Sequence, residues 1–209
     1  MLVYRSVPSR PTESRRRFNA GALGLCAGPF LPSYAEASSD TSHIVGHLKL
    51  NLLDELLMMR HADAPGYSDP QTMRLDDCTS QRNLGDRGKQ QAAASGHWLR
   101  QQGLGAVRVW SSPWCRCKDT AKLLGFGEPT LKHFLGSFFR EPDRSTDQTI
   151  ALTAALKAWF DEGPTQVLLV VTHQVNISAY AGRSAAAGEI FRVSVSKSGQ
   201  ARHAEPLRT

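Results

Sequence analysis

The sequence predicts an α/β sandwich built on a largely parallel sheet, and three observations predict it. Short apolar runs alternate with segments of helical spacing in the order strand, helix, strand, helix, strand. The runs are continuously apolar, as buried strands are, rather than alternating. Three of them lead into turns that carry arginine or histidine: Arg60-His61, Arg116 and His173.

Taken in order, the chain opens with a segment that resembles an export signal. Residues 14–18 read Ser-Arg-Arg-Arg-Phe, a mildly apolar run spans 20–31, and Ala35-Glu36-Ala37 offers a small-residue cleavage site. Glycines and Pro29 dilute the apolar run, and Phe18 follows the paired arginines, as in twin-arginine signals. Residues 1–37 are therefore expected to direct the protein to the periplasm or otherwise out of the cytoplasm; the alternative is a disordered basic tail. Cys26 follows Leu25, too large a residue for a lipid-anchor motif.

Residues 38–53 are expected to be a linker and a short helix, 54–195 the folded domain, and 196–209 a loose tail. Within the domain, 55–59 is a strand that delivers Arg60 and His61, and 62–83 is a polar loop rich in Gly, Pro and Asp. A helix over 86–102 turns Ala92, Ala93, Gly96 and Leu99 inward, with Leu84 just ahead of it. Residues 107–110 form the second strand, running into Ser111-Ser112-Pro113, and 115–124 the next helix. Residues 149–160 form a third helix, with Ile150, Leu152, Leu156 and Phe160 its apolar members. Val167-Leu168-Leu169-Val170-Val171-Thr172 is the clearest buried strand and ends at His173, and 189–195 is the last strand.

Composition narrows the function. The 209 residues are 41% hydrophobic and 21% charged, which suits a packed domain. The net charge of +6 is half contributed by residues 1–37, with five arginines against Glu13 and Glu36. No basic run follows residue 40, so nucleic acid is not expected as a partner. No run of about eighteen apolar residues exists, so no membrane span is expected. Oligomeric state is not legible.

In open α/β sheets ligands bind beyond the carboxyl ends of the strands, so Arg60, His61, Arg116 and His173 are expected to converge at one rim. Guanidinium forks match phosphate oxygens and stay charged. A histidine beside them is held neutral and can attack phosphorus. A second histidine can donate to a phosphoryl oxygen as charge spreads. Nothing in this set requires a metal, and third ligands for a zinc held by His61 and His173 are not evident. His43, His47, His97, His133 and His203 read as ordinary histidines.

At these residues the chain resembles the histidine phosphatase superfamily, branch 1. Leu57-Met58-Met59-Arg60-His61-Ala62 is similar to its Arg-His-Gly signature, with alanine for glycine. Residues 83–92 resemble its helix entry, 111–121 its second-arginine motif, and Val171-Thr172-His173 its second-histidine motif. The longer strings 74–84 and 172–177 look like those of a small bacterial exported subgroup. The resemblance implies a phosphoglycerate-mutase-like fold, a three-layer α/β/α sandwich with a mostly parallel mixed sheet. It implies a metal-independent phosphatase acting on a small phosphorylated substrate without cofactor. His61 would be the nucleophile, Arg60 and Arg116 the phosphate clamps, and His173 the second pocket histidine.

Where larger members carry a glutamate acid, this chain places Ser137; Glu141 is the candidate general acid, with Asp143 beside it. Gln174 replaces the small residue common after the second histidine. Arg82, Arg140 and Arg144 are loop arginines that could meet a second anionic group. Cys78 could pair with Cys115 or Cys117, or all three could be free thiols. Two other readings stay open: a phosphomutase of the same fold, and a non-catalytic phosphate-binding module.

Overall fold

The computed structural model describes residues 48–207. The segment over 1–37 expected to be an export signal, the linker after it and the start of the expected short helix, up to residue 47, lie outside the described residues. A six-stranded mixed sheet lies between two pairs of helices, which is the three-layer sandwich expected from the sequence.

In chain order the elements are β1 (Glu55–Arg60), α1 (Asp86–Gln101), β2 (Val107–Ser111), α2 (Cys115–Leu123), β3 (Thr130–Leu131), α3 (Ser145–Asp161), β4 (Val167–Thr172), α4 (Gln174–Ala181), β5 (Ile190–Val195) and β6 (Ala201–Pro206). The sheet order is β3-β2-β4-β1-β5-β6. The first four strands are parallel, while β5 pairs antiparallel with β1 and β6 antiparallel with β5.

The unbroken apolar runs follow from this layering, because a central strand covered on both faces has no solvent side. Along β1, Leu56 and Met58 join the core under α3 and α4, with Leu152, Leu156, Val170 and Ile177. Leu57 and Met59 join the opposite core under α1 and α2, with Leu99, Ala121, Leu124 and Val171. The inward stripe of α1 is Ala92, Ser95, Gly96 and Leu99, spaced i, i+3, i+4, i+7. Ser95 takes the place expected for Ala93, which is exposed. Gly96 is required because a Cβ there would run into the backbone carbonyl of Leu124 at the end of α2.

Two expectations are corrected. No helix occupies 48–53: Leu48 and Leu50 lie in irregular backbone and are half-buried against the α1–α2 core. The Asn51 carbonyl accepts from Asp54 N and Glu55 N, and its side chain accepts from Leu53 N. These local bonds offer the backbone a turn in place of a helix. The tail is not loose either, since β6 closes a hairpin on β5, turning at Gly199 with φ +84°. Its sequence hides this because only Ala204 is buried in the strand; Arg202, His203 and Glu205 face solvent, as suits an edge strand. Ile150, counted among the apolar members of α3, is 62% exposed. α4 and the two-residue β3 had no clear pattern of their own.

Candidate active site

The carboxyl ends of β1, β4 and β2 form one rim. It is locked by backbone bonds from His61 N to the Thr172 carbonyl, 2.9 Å, and from Ser112 N to the Val171 carbonyl, 3.0 Å. β1 presents Arg60 and His61, and β4, lying between the other two, presents His173. β2 leads through Ser112 into α2, whose first turn carries Arg116. These four residues line a cavity of about 490 Å³. Its remaining wall comes from the 62–85 loop (Asp69 and Arg82), from the segment around Ser137, Phe139, Arg140 and Glu141, and from Gln174.

Arg116 is the hub. Its side chain is 3% exposed. Nε donates to His61 Nε2 at 3.2 Å, Nη2 donates to His173 Nδ1 at 3.3 Å, and Nη1 meets Asp69 Oδ1 at 2.8 Å. The two imidazole rings lie 5.4 Å apart, edge to face.

Hydrogen-bond chemistry sets both tautomers. His61 Nδ1 is 2.8 Å from the Ala62 carbonyl, which can only accept, so Nδ1 carries the proton. Nε2 is left bare and points at Arg116. For His173 the order is reversed: Nδ1 accepts from Arg116, and Nε2 carries the proton toward Ser112 Oγ at 2.9 Å. Burial, then the Arg116 charge, pushes His61 down from 6.5 to about 3, with Arg60 and Arg82 adding to it. The same causes hold His173 well below the ordinary histidine value. Arg60 and Arg82 are both lowered by burial and by Arg116. Such crowding of cations is relieved by an anion.

The supporting contacts are dense. Arg60 Nη1 donates to the Ala185 carbonyl at 2.8 Å. Thr120 Oγ1 accepts from Ala62 N at 3.0 Å, tying β1's exit to α2. Cys78 and Cys115 form a disulfide, which joins the 62–85 loop to the residue before Arg116. Beside it Gln81 Oε1 accepts from Cys115 N at 2.9 Å. Of the pairings open from sequence this is one; Cys117 stays free and buried, its thiol pushed up to about 12 by burial.

The structure thus brings together Arg60, His61, Arg116 and His173. Glu141 also lines the cavity, but at its rim: it is paired with Arg144 at 3.2 Å and its side chain is 62% exposed. Ser137, Gln174, Arg82 and Arg140 border the cavity, whereas Asp143 and Arg144 do not. Asp69 was missed, because nothing in a polar loop distinguishes one aspartate from its neighbours Asp63, Asp76 and Asp77. Tyr67 and Phe139 were missed as well; they pair edge to face at 5.4 Å on the cavity wall, and Tyr67 is 83% exposed. Among the described residues no three His, Cys, Asp or Glu side chains cluster as metal ligands, and no helix is long and apolar enough to cross a membrane.

Comparison with known proteins agrees with this geometry. Residues 56–141 match the family model described as histidine phosphatase superfamily (branch 1). No curated protein sequence matches the chain. Among solved structures, the protein histidine phosphatase SixA complexed with tungstate is similar, at 21% identity and TM-score 0.53, over 74% of this chain and 94% of that one. A SixA structure from Nakamurella multipartitia is 25% identical with TM-score 0.50, over 74% and 94%. Phosphoserine phosphatase from Entamoeba histolytica, in complex with 3-phosphoglyceric acid, is 14% identical with TM-score 0.52, over 74% and 97%. The chain therefore has the phosphoglycerate-mutase-like fold, and over residues 56–141 it is similar to the histidine phosphatase superfamily, branch 1.

Proposed function

We propose that the protein is a small bacterial exported histidine phosphatase, hydrolysing a small phosphorylated substrate through a phosphohistidine on His61 and without a metal. One observation carries the reading: His61 presents an unprotonated Nε2 to Arg116 at 3.2 Å while its other nitrogen is committed to a backbone carbonyl. A neutral imidazole held in one tautomer beside fixed cations is an activated nucleophile toward phosphorus. It needs no proton removed before it attacks.

Arg60 and Arg116 would clamp the phosphoryl oxygens and stabilise charge in the transition state, the main catalytic contribution in phosphoryl transfer. The anion favours a proton on His173 Nδ1, which then donates to a phosphoryl oxygen. The match to the family model and the phosphatases among the similar structures support the reaction class. Export is supported by the arginine pair and apolar run of residues 14–31, and by the Cys78–Cys115 disulfide, a bond that persists in oxidising compartments.

The test is hydrolysis of p-nitrophenyl phosphate in EDTA by the purified protein and by His61→Ala, with acid-quenched trapping of labelled phosphate on the protein. Turnover that survives EDTA, with label lost in the variant, is expected. Turnover abolished by EDTA would refute the metal-free mechanism. Phosphate binding without turnover or label would refute the enzyme.

A further inference from the structure

A phosphatase of this type must protonate its leaving group unless that group is already stable as an anion. Two carboxylates line the cavity among the described residues, Asp69 and Glu141, and they are not equivalent. Glu141 sits on the rim against Arg144 and is 62% exposed. The Asp69 side chain is 12% exposed and stands directly on the central guanidinium. Its Oδ1 accepts from Arg116 Nη1 at 2.8 Å and from Arg82 N at 3.0 Å. Its Oδ2 takes no hydrogen bond among the described residues and is reached by solvent, on a residue that lines the cavity. The serine hydroxyls on the cavity wall, Ser68 and Ser137, are far too weak as acids.

We propose that Asp69 is the proton donor to the leaving group. It holds Arg116 in position before substrate binds, yields that contact to the phosphate, and then protonates the departing oxygen. The inference rests on the phosphatase reading. Its physical basis is an exchange of partners on Arg116. A phosphoryl group lying against His61 Nε2 and Arg116 competes with Asp69 for the same guanidinium. The carboxylate then loses part of its cation and gains an anionic neighbour, and both changes favour its protonated form. The groups around it are Arg116, Arg82 and Arg140, whose Nη1 is 3.3 Å from the Asp69 carbonyl; His61 and His173 lie beyond Arg116.

The bonds balance over two steps. First the His61 Nε2 lone pair forms the N–P bond, the P–O bond to the leaving group breaks with its electron pair on that oxygen, and the Asp69 proton ends there. Then a water oxygen forms the new P–O bond, the N–P bond breaks with its pair returning to Nε2, and one water proton passes to the Asp69 carboxylate.

The experiment compares Asp69→Asn with the unmutated full chain on phenyl phosphate and p-nitrophenyl phosphate, which have one shape and leaving groups of different acidity. Asparagine keeps an oxygen for Arg82 N but has no acid proton. The expected result is a fall in kcat/KM, which reports the first transfer and not the shared hydrolysis of the phosphohistidine, of about 100-fold on phenyl phosphate and under about 5-fold on p-nitrophenyl phosphate. Equal losses on both would overturn the proposal and leave Asp69 as a positioning residue for Arg116. Unchanged rates on both would also overturn it, as would the selective loss appearing in Glu141→Gln instead. Labelling of His61 in the unmutated protein reports on the phosphatase reading separately. Label and p-nitrophenyl turnover, with no selective loss in Asp69→Asn, would refute this inference alone; no label and no turnover on either ester would refute both.

Discussion

Holding His61 neutral should make the fold sensitive to mild acid, by an amount that follows from the site. His61 titrates near 6.5 when unfolded and at about 3 in the folded protein. Between those values the unfolded chain binds the extra proton, so stability rises with pH there and is lost as pH falls from 6.5 toward 3. From pH 7 to pH 5 the loss from this one residue is about 2 kcal/mol. His173 is shifted in the same direction by the same causes and adds a loss of the same sign.

The perturbation is His61→Gln, which retains an amide near the Ala62 carbonyl and does not titrate. Urea unfolding of both proteins at pH 7 and pH 5, in buffers free of phosphate and sulfate, gives the two declines. Carboxylates common to both proteins cancel in the difference. The variant should lose about 2 kcal/mol less than the unmutated protein over that interval. An identical decline in both would refute the claim that burial and Arg116 keep His61 uncharged. It would also remove the basis for an activated nucleophile.

Three further outcomes are expected. Arg116→Lys replaces a fork that reaches His61, His173 and Asp69 by a single point charge, and kcat/KM for p-nitrophenyl phosphate should fall by about 100-fold or more; a loss under 5-fold would show that the fork is not used. Cys78→Ser with Cys115→Ser opens a loop of 37 residues and should cost about 4 kcal/mol in urea unfolding by chain entropy, an effect that reductant should reproduce in the unmutated protein and not add to in the variant. Gly96→Ala drives a methyl into the Leu124 carbonyl where α1 crosses α2 and should lower stability by about 1–3 kcal/mol, measured by urea unfolding; a neutral result would mean that the helices part without cost.

The strands and helices were legible where burial is two-sided or periodic. Val167-Leu168-Leu169-Val170-Val171-Thr172 can hardly be anything but a central strand, and β4 spans those residues. The long helices α1 and α3 fall where apolar spacing places them, within a few residues at their ends. Legibility failed where the pattern was weak. β6 buries one side chain of six, so its pairing comes from backbone bonds to β5 rather than from an apolar stripe. Residues 48–53 carry helix-like spacing, yet Asn51 captures the local amide groups.

The site divides along the same line. By itself the sequence determined which residues end up at the rim: Arg60, His61, Arg116 and His173 each follow an apolar strand, and a parallel sheet must bring strand ends together. It also restricted the thiols to a few pairings. Only the tertiary structure decided which cysteines join, which nitrogen of each histidine is bare, and that a loop aspartate, Asp69, stands on Arg116 while Glu141 turns to Arg144. The reason is physical. Strand position is written in local apolar periodicity, whereas the partner of a loop carboxylate depends on the paths of segments far apart in the chain, and residues 69 and 116 meet only once the sheet has been assembled.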